Sequence, residues 1–346
     1  MAMRGLTSSL WPIRYKPLSN ELLSCWLVRL AHGHGLKVQT FCNLIFGNRL
    51  QVWNRDIDRL APSWLLDELC LRTGTPDGVA RRTTIRQYEG VLYRRFRLTG
   101  VLDWILVQKM YHRKRQGFGL QFCPLCLAED ETPYFRTQWR LALNTLCVRH
   151  EVMLMDRCPA CQAVVAAHRL DMAKHDAIHV PPLSYCHVCG YDFRDAPATK
   201  PIQYDRDVLT LLFDIGRLFD GQKVFPENWQ LAHFEVMRHL CFLMTSRYEH
   251  IHLRDFVSKR LGIGNVLLKD GRVPFESRSV HERHCLMQLT CWLLVDLQER
   301  LTEAWRAGAV RYNVLLKDFD APPDFYVRMV REFSNWRDRF DANDMF

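Results

Sequence analysis

The sequence lacks the common catalytic signatures. It has no G-x-x-x-x-G-K-[ST] phosphate loop and no G-x-G-x-x-G after a strand, which argues against nucleotide hydrolysis. H-E-x-x-H and G-x-S-x-G are absent as well. Acidic residues occur as Glu129-Asp130-Glu131 and as Asp318 and Asp320, and neither group has a partner that would nominate a two-metal nuclease. Long apolar runs are missing too. The best one, Leu286 to Leu297, is interrupted by Gln288, Thr290 and Asp296, well short of the roughly 20 apolar residues a membrane span needs. The first residues carry Arg4, Arg14 and Lys16, but the apolar stretch between them is broken by Pro12, so no signal peptide is read there. A soluble, cytoplasmic protein is therefore expected. No internal repeat stands out beyond paired cysteine knuckles, and there is no low-complexity tract.

What is present fits an ordinary globular chain. Its 346 residues allow two or three domains, with 48% hydrophobic and 25% charged content. The net charge of +9 is concentrated. Between Arg81 and Arg115 stand ten Lys or Arg against Glu89 and Asp103, an excess of eight that leaves the rest nearly neutral. One basic block points to a polyanion-facing surface, with Arg81, Arg82, Arg86, Arg94, Arg95, Arg113, Lys114 and Arg115 as candidate nucleic-acid contacts. The alternative is a solvated face that binds nothing. Tyr88, Tyr93, Phe96, Trp104 and Tyr111 are interleaved with these arginines and are expected to be core more than stacking platforms. His112 to Arg115, ahead of Gly117 and Gly119, reads as an exposed basic loop.

Elsewhere the periodicity is helical. Ser19 or Asn20 can cap a helix carrying Leu22, Leu23, Trp26, Leu27 and Leu30, broken at His32 to Gly35. A second helix bears Val38, Phe41, Leu44 and Ile45 and stops at Gly47, so the pair is compatible with a helix-turn-helix reader of DNA. A third runs from Pro62 to Gly74. Beyond Pro201, helices are expected over Asp205 to Phe219, Trp229 to Met244, Leu253 to Leu261 and, as one long element, about Val280 to Trp305. The leucines 286, 289, 293, 297 and 301 of that last helix are expected to be buried within the domain, a dimer seam being the alternative.

Thirteen cysteines divide into two sets. Cys25, Cys42, Cys70, Cys241, Cys285 and Cys291 stand singly in apolar surroundings and read as small hydrophobes. With no secretion signal, a disulfide framework is not expected. The other seven lie between residues 123 and 189 in four ligand pairs: Cys123 and Cys126, Cys147 and His150, Cys158 and Cys161, Cys186 and Cys189. A two-residue gap turns both side chains of a knuckle onto one ion, and two knuckles complete a tetrahedral zinc site. Sequential pairing gives one site of three cysteines and a histidine and another of four cysteines; crossed pairing is not excluded. Both arrangements leave no open position, so two structural zinc ions are expected rather than a catalytic one. His168, His175, His179 and His187 then become surface or supporting residues. Phe135, Trp139, Leu143 and Leu146 step at helical intervals and are expected to cover the first site.

The fold expected is mainly α: a helical N-terminal domain over 1–118 with the helix-turn-helix-like segment and basic block, a double zinc-binding domain over 119–200, and a helical domain over 201–346. The residues also resemble a known family. Phe122 to Asp130, Pro133 to Arg136 and Trp139 to Leu141 are similar to the TniQ family, relatives of the TnsD target selectors. So are Cys147-x-x-His150, Cys158-Pro159-x-Cys161 and Cys186-x-x-Cys189 followed by Gly190 to Phe193. The opening Pro17, Glu21 to Ser24, Trp26, Leu27 and Arg29 to Ala31 adds to the likeness, which spans roughly 12–196; the C-terminal third matches loosely through Arg311 to Asn313 and Leu315 to Pro323. The resemblance implies a non-catalytic targeting subunit of a DNA transposon. It implies a helix-turn-helix and two zinc motifs linking a target-recognition element to an AAA+ transposition regulator of the TnsC or TniB kind, which calls the transposase. Some members bind an attachment site on DNA, others ride on a CRISPR RNA-guided effector complex with its guide RNA, often as a homodimer. The length here, below that of the large site-binding members, favours docking on another assembly. Rival readings are a zinc-containing, sequence-specific transcription regulator and a zinc-dependent nucleic-acid enzyme.

Overall fold

A computed structural model describes residues 6, 9–47, 52–111, 114–172, 179–220, 229–246, 251–264 and 273–333. The chain divides into two compact units, one of residues 1–89, 95–201 and 276–280, the other of 90–94, 202–275 and 281–346. The fold is mainly helical with two short hairpins.

The first unit opens with α1 (Leu23–Gly33) and α2 (Val38–Phe46), followed by α3 (Ile57–Leu60), α4 (Ser63–Thr73) and α5 (Asp77–Arg81). Leu23, Trp26, Leu27 and Leu30 of α1 are fully buried, as their three- and four-residue spacing requires. The start of α1 differs from the sequence expectation. Neither Ser19 nor Asn20 caps it; the N-cap is Leu22, with no side-chain bond. Here the chain is tied down by tertiary contacts. Glu21 bridges Arg136 in antiparallel fashion, and Leu22 N–H donates to the Phe135 carbonyl at 2.9 Å. The Glu21 carboxylate is thereby committed to Leu18 N–H at 2.9 Å and to Arg29 at 2.7 Å. Gly35 and Gly47, at φ 68° and 72°, end α1 and α2 in a region that favours glycine. The α2 N-terminus has no local cap. Asp171 supplies one from 133 residues away, accepting Val38 N–H at 2.6 Å and meeting His32 Nε2 at 3.2 Å.

The stretch from Phe135 to Leu146 corrects a second expectation. It is no α-helix: a 3-10 turn covers Thr137–Arg140, Leu141 is extended, and β3 (Leu146–Cys147) pairs antiparallel with β4 (Val152–Met153). Its backbone groups are taken by distant partners. Thr137 N–H donates to Asn20, Leu106 N–H to Arg140 and Ala142 N–H to Trp104, while the Gln121 amide reaches Leu141 and Asn144. Phe135, Trp139, Leu143 and Leu146 are buried all the same. The expected basic loop is a hairpin, β1 (Lys109–Tyr111) pairing with β2 (Lys114–Gln116).

Ion pairing knits the interior of this unit. Arg140 is fully buried, with bonds to Asp56 at 2.5 and 3.1 Å, Asp58 at 3.2 Å and the Leu106 carbonyl at 3.1 Å. Asp58 also accepts from Ser24 N–H and Oγ on α1, and Asp56 caps α3.

The second unit holds α7 (Arg206–Phe219), α8 (Leu231–Met244), α9 (Leu253–Leu261), α11 (Leu297–Arg306), α12 (Tyr312–Leu315), α13 (Asp324–Arg331) and most of α10 (Val280–Val295); α6 (Pro124–Glu129) belongs to the first. Asp205 caps α7 through the N–H groups of Asp207 and Val208. The single helix expected from 280 to 305 is two. Asp296, at φ −145°, breaks it and caps α11 by accepting Glu299 N–H at 3.1 Å, the competition with helix backbone that makes Asp a cap residue. Leu286, Leu289, Leu293 and Leu301 are fully buried.

Two buried imidazoles give this unit a pH dependence. Burial depresses His239, whose Nε2 meets the Leu315 carbonyl at 2.8 Å, to about 4. Burial, with His281 and Arg283 nearby, depresses His284 to about 4. Unfolded, each takes a proton near pH 6.5; folded, each resists until about 4. Between those values the unfolded state binds more protons, so stability falls as pH falls, by on the order of 2–3 kcal/mol per imidazole. Replacing both by glutamine is expected to flatten the pH 7 to 5 difference in denaturation midpoint; an unchanged difference would refute the assignment.

Candidate metal centre and basic surface

Cys123, Cys126, Cys147 and His150 meet with their ligand atoms all within 4.8 Å, and so do Cys158, Cys161, Cys186 and Cys189. The grouping is the sequential one. In the first cluster His150 Nδ1 lies 3.5, 3.4 and 3.5 Å from the sulfurs of Cys123, Cys126 and Cys147, and Cys126 Sγ lies 3.6 Å from Cys147 Sγ. In the second, Cys158 to Cys189 and Cys161 to Cys186 are both 3.6 Å. Bonds of about 2.3 Å to sulfur and 2.0–2.1 Å to nitrogen around a tetrahedral ion imply edges of about 3.8 and 3.6 Å, so each cluster is sized for one such ion. Thiolate with imidazole is the donor set that suits zinc.

Local chain geometry makes the knuckles. Cys123 is the N-cap of α6, Pro124 is its first residue, and Cys126 falls on the first turn. Glu151 N–H donates to Cys147 O at 2.8 Å, closing the tight turn that carries His150. The second cluster repeats one device twice. Gln162 N–H returns to Cys158 O at 2.9 Å and Gly190 N–H to Cys186 O at 3.0 Å, with the two returning residues at φ 61° and 73°. Burial differs between the clusters. All three cysteines of the first are buried, whereas Cys161 and Cys189 of the second are exposed.

The protonation balance favours a cation. Hydrogen bonds from Cys123 and Cys126 pull Cys147 down to about 2, and sharing with Cys123 and Cys147 pushes Cys126 far up. Burial pushes Cys186 up to about 12, while the Tyr191 backbone N–H lowers Cys189. Ionising the cysteines of one cluster together sets like charges within 4.8 Å of one another, and a dication between them would offset that repulsion.

Glu129 was not singled out as part of a site by sequence reasoning. Its carboxylate sits 2.9 Å from His150 Nε2 and accepts from Arg149 at 3.1 Å. A carboxylate on the far nitrogen fixes the imidazole with Nδ1 toward the sulfurs. The available signal was Cys126-x-x-Glu129 at the end of α6, one helical turn beyond the ligand. His168 instead stacks on Trp53 at 4.8 Å, and neither it, His179 nor His187 belongs to a cluster; His175 lies outside the described residues.

The basic block is divided between the two units. Arg81 is exposed and pairs with Asp77 at 2.7 Å, Arg82 and Arg95 are exposed, and the Arg86 guanidinium lies 4.0 Å over the Phe96 ring. Arg94 belongs to the second unit, bound to the Glu235 carboxylate and, at 3.0 Å, to the Ala321 carbonyl. Lys114 and Arg115 lie in β2; Arg113 is outside the described residues. Tyr88, Tyr93 and Trp104 are buried and Phe96 half-buried. Among the described residues no helix is long and apolar enough to cross a membrane.

Residues 12–154 match the TniQ family model. The match contains the whole first cluster and ends before Cys158. No curated protein matches the chain.

Proposed function

Because residues 12–154 form a TniQ domain, we propose that this chain is a non-catalytic target-selection subunit of a DNA transposition system. In this reading it links a target-recognition element, attachment-site DNA or a CRISPR RNA-guided effector complex, to an AAA+ transposition regulator. The observation that carries the non-catalytic part is the closure of both metal clusters. Four protein donors converge on each, so an ion held there keeps no position for water or substrate. The ions, two zinc by donor type, then act on geometry: the Cys158–Cys189 segment includes Asp171, which caps α2.

The test is co-purification of the zinc-loaded chain with an AAA+ transposition regulator. Retention on the regulator is expected; operator binding without any such partner would point to a transcription regulator. The basic block would supply nucleic-acid contacts through Arg81, Arg82, Arg86, Arg95, Arg113, Lys114 and Arg115. Alanine at Arg81 and Arg82 together is expected to weaken binding and flatten the log–log salt dependence by about 0.9 for each phosphate no longer neutralised. An unaltered slope would remove these residues from the interface.

A further inference from the structure

Residues 95–100 are an exposed loop of the first unit whose backbone is held firmly from below. The Arg59 guanidinium donates to three of its carbonyls, Gly100 at 2.9 Å, Arg97 at 2.7 Å and Thr99 at 3.4 Å. Phe96 N–H donates to the Glu89 carboxylate at 2.9 Å, and its ring lies under Arg86. Arg97 folds back to the Val101 carbonyl at 3.1 Å and to the Asp103 carboxylate at 3.4 Å, and Gly100, at φ 75°, turns the chain. At the tip stands Leu98, 70% exposed, between the exposed Arg95 and Arg97 and Thr99.

A single exposed leucine ordinarily needs no explanation. This one sits on a loop whose ordering cost is already met by the guanidinium beneath it, which is how a contact element gains affinity. Beside it in sequence, Arg95 presents an exposed guanidinium, and Arg97 one whose charge is shared with Asp103. An apolar tip between cations fits a ligand with charge outside and apolar faces within. An aliphatic side chain offers no ring on which unpaired bases could stack. It can, however, enter between base steps from the minor groove, with an arginine on a neighbouring phosphate.

We propose that residues 95–100 are a duplex-DNA contact in which Leu98 wedges between base steps while Arg95 binds a flanking phosphate; this rests on the nucleic-acid reading of the basic block. The wedge adds apolar burial without adding a phosphate contact, so its removal should change affinity and leave the salt slope alone.

The experiment uses the full zinc-loaded chain and a mixed-sequence DNA duplex carrying 2-aminopurine, whose fluorescence rises on unstacking. Leu98→Ala is expected to weaken binding about tenfold, to keep the salt slope, and to abolish the fluorescence rise. Leu98→Met should restore both, and all variants should melt with the wild type because the side chain is exposed. Arg81→Ala with Arg82→Ala should lower the slope yet preserve the fluorescence rise at saturation. If Leu98→Ala binds and unstacks like the wild type while the arginine pair still changes the slope, the wedge is wrong and the basic-block reading stands. Weakened binding to single strands or to a protein partner, with duplex binding untouched, would also overturn the wedge. No binding of duplex DNA by the wild type would overturn both.

Discussion

Replacing Cys126 with serine, or stripping the metal with a strong chelator, is expected to unfold the segment around the first cluster and lower the melting temperature of the first unit sharply. Cys126 is nearly inaccessible and touches both Cys147 Sγ and His150 Nδ1. The cluster joins α6 to the β3–β4 hairpin, elements of six and two residues that cannot persist alone. A structural zinc ion supplies an apparent binding free energy of about 10–16 kcal/mol, while a whole domain is stable by about 5–15 kcal/mol. Removing it is therefore enough to cost the fold. Cys161→Ser should do less, because Cys161 is exposed whereas Cys126 is buried. Melting curves with and without chelator, and metal content after gel filtration, give the answer. Coincident curves for the loaded and stripped protein would refute a structural metal.

The second large effect is expected from Arg140→Met. Removing one partner of a buried ion pair costs about 3–5 kcal/mol, because the carboxylates left behind keep their desolvation penalty and lose its compensation. Asp58 is 2% exposed, and burial already pushes it up to about 6 against the pull of Arg140. Without that guanidinium the folded Asp58 should bind its proton more tightly still, while the unfolded one titrates near 3.9. The folded state of the variant then binds more protons between those values, so it should gain stability as pH falls through that window. Arg140→Lys should not rescue, since one ammonium cannot span Asp56, Asp58 and the Leu106 carbonyl as the planar fork does. Asp56→Asn and Asp58→Asn in the Met background should recover much of the stability. Urea midpoints at pH 7 and 5 test all of this. A variant as stable as the wild type at pH 7 would show the network to be dispensable.

Much was legible without coordinates. Ligand pairs two residues apart, the apolar period of α1, the glycine stops after α2 and α4, and the Asp205 cap of α7 are statements about neighbours along the chain. The grouping of those pairs was not: spacing allowed sequential or crossed pairing alike, and the structure brings consecutive knuckles together. The segment that matches the TniQ family model, residues 12–154, holds α1, α2, α4 and the first ligand cluster.

The misses share one cause. Phe135 to Leu146 has a helical spacing of apolar residues, yet its amides and carbonyls are claimed by Asn20, Trp104, Leu106 and Gln121. The start of α1 was fixed by Arg136 and Phe135, not by Ser19 or Asn20. Asp296 reads equally well as a solvated residue on one long helix; only its bond to Glu299 N–H marks it as the cap of α11. Asp171 on Val38 and Arg140 on two aspartates are partnerships across 133, and 84 and 82, positions, and nothing in a window of sequence marks them. By itself the sequence determined which residues form the candidate ligand pairs and which faces of the helices are apolar, since both follow from spacing on a regular chain. Only the tertiary structure decided where helices begin and which charges are buried, since those depend on which distant backbone group or counter-charge arrives first.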